Sequence, residues 1–301
     1  MDQDTTSERP AHLDRRSLIG RLGAGAASAA VIGGVAASGL ALSTQPAQAQ
    51  ALTDTDILNF ALNLEYLEAE FYLRAYFGTG LQGGDVTGTG TQGTVTGGAA
   101  VPFASPAVRY YCQTLASDEL THVRFLRGAL GSAAVAEPSI NLSTSFTTLA
   151  QAAGLIGPGQ TFNPFADEVS FLLGAYIFED VGVTAYAGAA RFIANPTYLT
   201  AAAGILGTEA YHGGAVRTLL ANIGAGQAAN QISALRATLS QAQDDQGIVI
   251  PGENYNFVPS DYNALVFRRT PQQVLAVVYG STTAAGKGGL FFPNGLNGTI
   301  R

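Results

Sequence analysis

The 301 residues carry a formal net charge of −7, from 22 acidic and 15 basic side chains. That balance argues against nucleic-acid binding, which needs a basic surface to meet phosphate. A single cysteine, Cys112, rules out an internal disulfide and any cysteine-built cluster, so packing, helped by a metal, must hold the fold.

In chain order, the first segment reads as a leader. Arg15 and Arg16 stand before the uncharged run "LGAGAASAAVIGGVAASGLAL", and Ala47 and Ala49 supply small residues for cleavage. This is the outline of a twin-arginine export signal over residues 1–49, although Asp14 stands where Ser or Thr usually precedes the arginines. The expectation is cleavage after Ala49, with Ala51 the alternative, and a periplasmic or extracellular protein with no membrane segment after cleavage. The leader's charges cancel, so the mature chain keeps the whole −7.

Helical periodicity dominates residues 52–245. "TDTDILNFALNLEYLEAEFYLRAYF" opens on capping residues and runs at helix spacing through Phe77. Residues 78–100 then hold nine glycines and six threonines, the composition of a mobile surface loop. "SPAVRYYCQTLASDELTHVRFLRGALG" is a second helix between Pro106 and Gly131, and a connection of about thirty residues follows. "NPFADEVSFLLGAYIFEDVGVTAYAGAARFIAN" and "PTYLTAAAGILGTEAYHGGAVRTLLANIG" are the third and fourth helices, and "QAANQISALRATLSQAQ" is a shorter fifth. Residues 246–301 read as an irregular C-terminal extension that wraps the bundle, with one short helix near Pro271 to Tyr279.

Both histidines beyond the leader end a Glu-x-x-His pair, Glu119 with His122 and Glu209 with His212. Residues three apart share a helix face. Each pair lies on an apolar stripe, as do Glu65 and Glu179, each on the helix that precedes a pair. Four converging carboxylates are untenable in a low-dielectric core without positive charge among them. Two divalent cations would make four Glu and two neutral His formally neutral. A Glu from each of two helices plus Glu-x-x-His from each of two others is the ligand set of dinuclear carboxylate bundles. Such mixed oxygen and nitrogen ligation suits iron first, then manganese, and tolerates zinc.

Glu68 lies one turn from Glu65, so either could serve on the first helix. Glu65 is preferred because its spacing to Tyr72 repeats that of Glu179 to Tyr186. Glu68 then supports the site, Glu70 supports it or faces solvent, and Tyr72 and Tyr186 either hydrogen-bond ligating carboxylates or simply fill the bundle. Asp118 and Asp180 point off the stripes, towards solvent or arginine.

Through "ALNLEYLEAEFY", "ASDELTHVRFL", "YIFEDVGVTAY" and "GTEAYHGGAV", the chain resembles the ferritin-like superfamily. More narrowly it is similar to exported bacterial ferritin-like proteins related to plant desiccation-related proteins. The resemblance implies an all-α, four-helix bundle with a long crossover at residues 132–163, and ligands at Glu65, Glu119, His122, Glu179, Glu209 and His212. It also implies iron or peroxide redox chemistry with dioxygen or peroxide as partner, in the manner of a ferroxidase or a manganese catalase. The glycine-rich insertion and the extension depart from compact storage ferritins and offer surfaces for association, a homo-oligomer included. The competing expectation is a non-catalytic envelope or stress protein whose metal is structural or missing.

Overall fold

The computed structural model describes residues 52–250, 255–283 and 288–301. The expected export signal at 1–49 lies outside the described residues. Seven α-helices and one two-stranded sheet are present among them. The bundle consists of α1 (Asp54–Phe77), α2 (Pro106–Leu130), α4 (Glu168–Ala189) and α5 (Pro196–Asn222). Around it lie β1 (Val95–Gly97), β2 (Ile140–Leu142), α3 (Thr144–Ala152), α6 (Gly226–Ser240) and α7 (Pro271–Val278).

Local chemistry sets the helix ends. Thr53 and Asp56 close a capping box on α1, and Gly78 ends that helix in the left-handed region at φ 76°. Ser105, Asp167 and Asn195 cap α2, α4 and α5, with Pro106 and Pro196 in the first turns, where a missing N–H costs nothing. The third helix therefore begins at Glu168, five residues later than its periodicity suggested, because Asp167 supplies the cap. α4 is apolar enough to cross a membrane, yet 89% of that stretch is buried in the protein: it is the central helix of the bundle.

α1 packs on α2 and α4 on α5, with further contact between α1 and α4. At one end Phe71 meets Phe146 of α3, Phe165, Phe171 and Phe178 at centroid separations of 5.3–5.7 Å. Phe291 of the extension closes the same cluster, 5.0 Å from both Phe146 and Phe178. The crossover and the extension thus complete the core rather than decorate it.

The glycine-rich segment differs from a free loop. β1 pairs in parallel with β2 of the crossover, Val95 opposite Ile140. Gly93 passes so close to the Pro138–Ser139 backbone that a Cβ would collide with it. Asn297 of the extension bonds Thr91 and Ala136, and its own backbone meets the buried Asn63 of α1. Glycine here buys close approach, not mobility.

Beneath this segment Glu70 is buried, accepting from Arg74 at 2.5 Å and from the Leu81 amide at 2.6 Å. The expectation that Glu70 supports the centre or faces solvent fails because these two donors claim its carboxylate. Glu137 lies beside it, 4% exposed, with Oε1 unpartnered among the described residues, and burial together with Glu70 pushes its pKa up to about 9. Folding therefore holds a proton that the unfolded chain releases near 4.5, so this contribution is full below 4.5 and is lost as pH rises towards 9. Glu137→Gln keeps a donor for Glu70 without the titration. Its advantage over wild type in denaturant titrations should grow between these two pH values; a gap independent of pH would reject the assignment.

Candidate metal centre

The four bundle helices bring Glu65, Glu119, His122, Glu179, Glu209 and His212 into two adjoining buried groups. Glu65, Glu119, His122 and Glu209 form one, and Glu119, Glu179 and His212 the other. Within each group the potential ligand atoms lie within 4.8 Å of one another, and Glu119 belongs to both. His122 Nδ1 is 3.2 Å from Glu65 Oε2, 3.0 Å from Glu119 Oε2 and 3.7 Å from Glu209 Oε1. His212 Nδ1 is 3.2 Å from Glu119 Oε1 and 3.4 Å from Glu179 Oε2.

These distances leave several polar atoms unsatisfied. Glu119 Oε1, Glu179 Oε2, both oxygens of Glu209 and His212 Nδ1 are buried without a hydrogen-bond partner among the described residues. Glu119 Oε1 and His212 Nδ1 are near each other yet are not aligned as a hydrogen bond. Such groups ordinarily find partners, since each orphan costs about 1–3 kcal/mol. These five atoms from carboxylate and imidazole, spread over the two adjoining groups, are the donor types of a hard-to-borderline divalent cation. The residues present fit such ions.

Without an ion, protons carry the positive charge. The carboxylates of Glu65 and Glu119 raise His122 to about 11 against the opposing effect of burial, and Glu179 and Glu119 raise His212 still further. Burial raises Glu65 to about 7, and burial with the neighbouring carboxylates drives Glu68 and Glu209 well above the usual range. Burial also lifts Glu119, but the hydrogen bond from His122 and the close approach of His212 prevail and hold it far below its ordinary value. Cation binding would displace these protons.

The surrounding contacts are exchanged between the two halves of the bundle. Tyr72 of α1 donates to Glu179 of α4, while Tyr186 of α4 donates to Glu65 of α1. Each tyrosine lies seven residues after one glutamate and holds the other. The repeated spacing thus marks a reciprocal pair of hydrogen bonds, and filling the bundle is not their whole role. Glu68 is buried nearby, outside both groups.

Two contributors were not identified by sequence reasoning. Asp118, expected to face solvent or arginine, accepts from His212 Nε2 at 3.0 Å across the bundle. A proton fixed at Nε2 leaves the Nδ1 lone pair facing the carboxylates, the usual way a ligating histidine is oriented. No spacing rule could reveal this, because Asp118 and His212 are 94 positions apart. Gly182 is the other: a Cβ there would collide with the Glu209 carboxylate and touch Glu68. Its signal, a glycine one turn after Glu179 on an otherwise apolar helix, was on view. Asp180 follows expectation, paired with Arg217 and Arg236.

Comparison with known proteins agrees with this geometry. Residues 53–222 match the ferritin-like domain family. The ferritin-like catalase Nec2 of Nesocodon mauritianus is 31% identical over 271 residues, covering 82% of this chain and 84% of that one. The desiccation-related protein PCC13-62 of Craterostigma plantagineum is 31% identical over 252 residues, covering 77% and 78%. No solved structure matches the chain. A four-helix bundle with two carboxylate–histidine groups, a family match over more than half its length and relatives of similar extent place this chain in the ferritin-like domain family.

Proposed function

We propose that the mature chain holds two divalent metal ions, iron or manganese, on Glu65, Glu119, His122, Glu179, Glu209 and His212, and dismutates peroxide outside the cytoplasm. The observation that carries this reading is Glu119, whose two oxygens serve separate carboxylate–histidine groups. When bound, a metal pair of this kind can exchange the two electrons that separate peroxide from water and from dioxygen. The likeness to a protein named as a ferritin-like catalase supports the choice of peroxide. The twin-arginine pattern in residues 1–49 supports export, and a folded-protein route suits a chain that must gain its metal first.

The chain's own residues set the conditions. Tyr72 and Tyr186 fix the carboxylates of Glu179 and Glu65, and Asp118 fixes the ring of His212. Burial and the neighbouring carboxylates of Glu119, Glu179 and Glu65 push Glu68 well above the usual carboxylate range, the direction that suits a carboxyl to act as an acid beside the two groups. A second reading, a stress protein with a structural ion, draws on the equal identity to a desiccation-related protein.

Metal content per chain, measured by mass spectrometry on the exported protein, separates these readings when paired with oxygen release from peroxide. About two ions per chain are expected, with both metal and oxygen release lost in Glu119→Ala/His122→Ala. Full metal without oxygen release supports the structural reading; a metal-free wild type defeats both.

A further inference from the structure

The helix stripes that carry the six residues continue one to two turns further towards one end of the bundle, and there they line a small, partly enclosed cavity. Ala61 lies four residues before Glu65, Leu126 four after His122, Tyr186 seven after Glu179, and Ile205 and Ala202 four and seven before Glu209. The cavity has a volume of about 30 Å³, and its wall is otherwise aliphatic or aromatic. Among its lining residues Tyr186 and Tyr198 alone carry hydroxyls, and both are committed: Tyr186 donates to Glu65, and Tyr198 donates to the Ala129 carbonyl at 3.4 Å.

Size and polarity decide what such a space can hold. Roughly 10–15 Å³ suffices for one water, but a buried water also needs two to four polar partners, and cavities without them stay dry and accept apolar solutes. Peroxide, with two hydroxyls to satisfy, is excluded on the same ground. A diatomic gas is not.

We propose that this cavity is a binding site for dioxygen, set one residue from the metal centre with Tyr186 as the shared wall. Its functional sense rests on the proposed peroxide chemistry. Dismutation of two peroxide molecules gives two waters and one dioxygen, and the cavity receives the apolar product while the polar ones leave elsewhere. Tyr186 contributes twice, holding Glu65 through its hydroxyl and lining the gas site with its ring.

Xenon is the probe, because it reports a dry apolar cavity without any need for metal or turnover. Wild-type protein under xenon pressure, metal-free and metal-loaded, should show the gas between Ala202, Ile205 and Tyr186 by diffraction or by xenon NMR. Ala202→Leu should abolish the signal, and Ile205→Ala, which enlarges the space, should strengthen it. The second variant keeps the test alive if the first fails to fold. Absence of xenon from wild type, or binding unaltered by both substitutions in folded protein, overturns the site. Xenon bound as expected in a protein that neither holds metal nor releases oxygen would instead refute the peroxide reading and leave the gas site standing.

Discussion

Glu209→Leu should stabilise the metal-free protein and destabilise the metal-loaded one. Both Glu209 oxygens are buried without partners, and burial among Glu119, Glu68, Glu179 and Glu65 keeps the carboxyl protonated far above its usual range. Replacing an unsatisfied buried acid by an apolar side chain of similar size removes a penalty of about 1–3 kcal/mol. In a domain of this size each kcal/mol moves the unfolding midpoint by about 2–4 °C. With metal present the sign reverses, because an ion that binds only the folded chain stabilises it by mass action, and the variant has lost a ligand to one group. Calorimetry of chelator-treated and metal-reloaded samples of both proteins measures the two shifts. A metal-free variant less stable than wild type would mean that the carboxylate cluster is not strained, and would remove the argument that cations complete it.

That opposition explains why so much of the site could be read from the sequence. Carboxylates on apolar stripes conflict with local hydrophobic patterning, and such conflicts concentrate at functional sites. Glu65, Glu119, Glu179 and Glu209 announced themselves in this way, and the Glu-x-x-His spacing placed both histidines on the same faces. Of the two candidates on the first helix, Glu65 lies in one of the two groups and Glu68 in neither. What escaped depends on partners distant in sequence. Asp118 gains its role from a histidine on another helix, and Gly182 gains its from a carboxylate opposite. The crossover hid α3 and β2 because a nine-residue helix and a three-residue strand carry too little periodicity to detect, and their stability comes from packing on Phe71 and pairing with β1. The extension was read as a wrapping, yet what binds it to the bundle is a set of buried arginines that no spacing rule flags.

Those arginines carry the largest stability prediction. Arg217, Arg236 and Arg269 are almost wholly buried, at 0–1% exposure, with Asp180, Asp244 and Asp245 as their counterions. Three charges of each sign leave the network neutral. Arg217 holds Asp180 through two nitrogens, at 3.1 and 2.8 Å, and also donates to the Gln246, Gly247 and Asn256 carbonyls of the extension. Arg217→Met should therefore cost about 3–5 kcal/mol, because it leaves a buried aspartate half-paired and three carbonyls without a donor. Asp180→Asn/Arg217→Met should cost less than the sum of the two single changes, since neither partner is then left as an uncompensated charge. The effect is also pH-dependent. Burial alone would raise Asp180, but Arg217 and Arg236 overcome it and hold the carboxyl below its ordinary 3.8. Its stabilisation is present above 3.8 and fades as pH falls through the lowered folded value, so the gap between wild type and variant should narrow in acid. Asp180 is the neighbour of Glu179, and Arg217 lies five residues after His212, so this clamp sets the α4–α5 register on which the second carboxylate–histidine group depends. Guanidinium titrations at two pH values, with metal content measured on the same samples, test both claims. A loss below 1 kcal/mol would show that the clamp does not fasten the extension, and metal content at the wild-type level in a protein that is still folded would show that it does not set the centre.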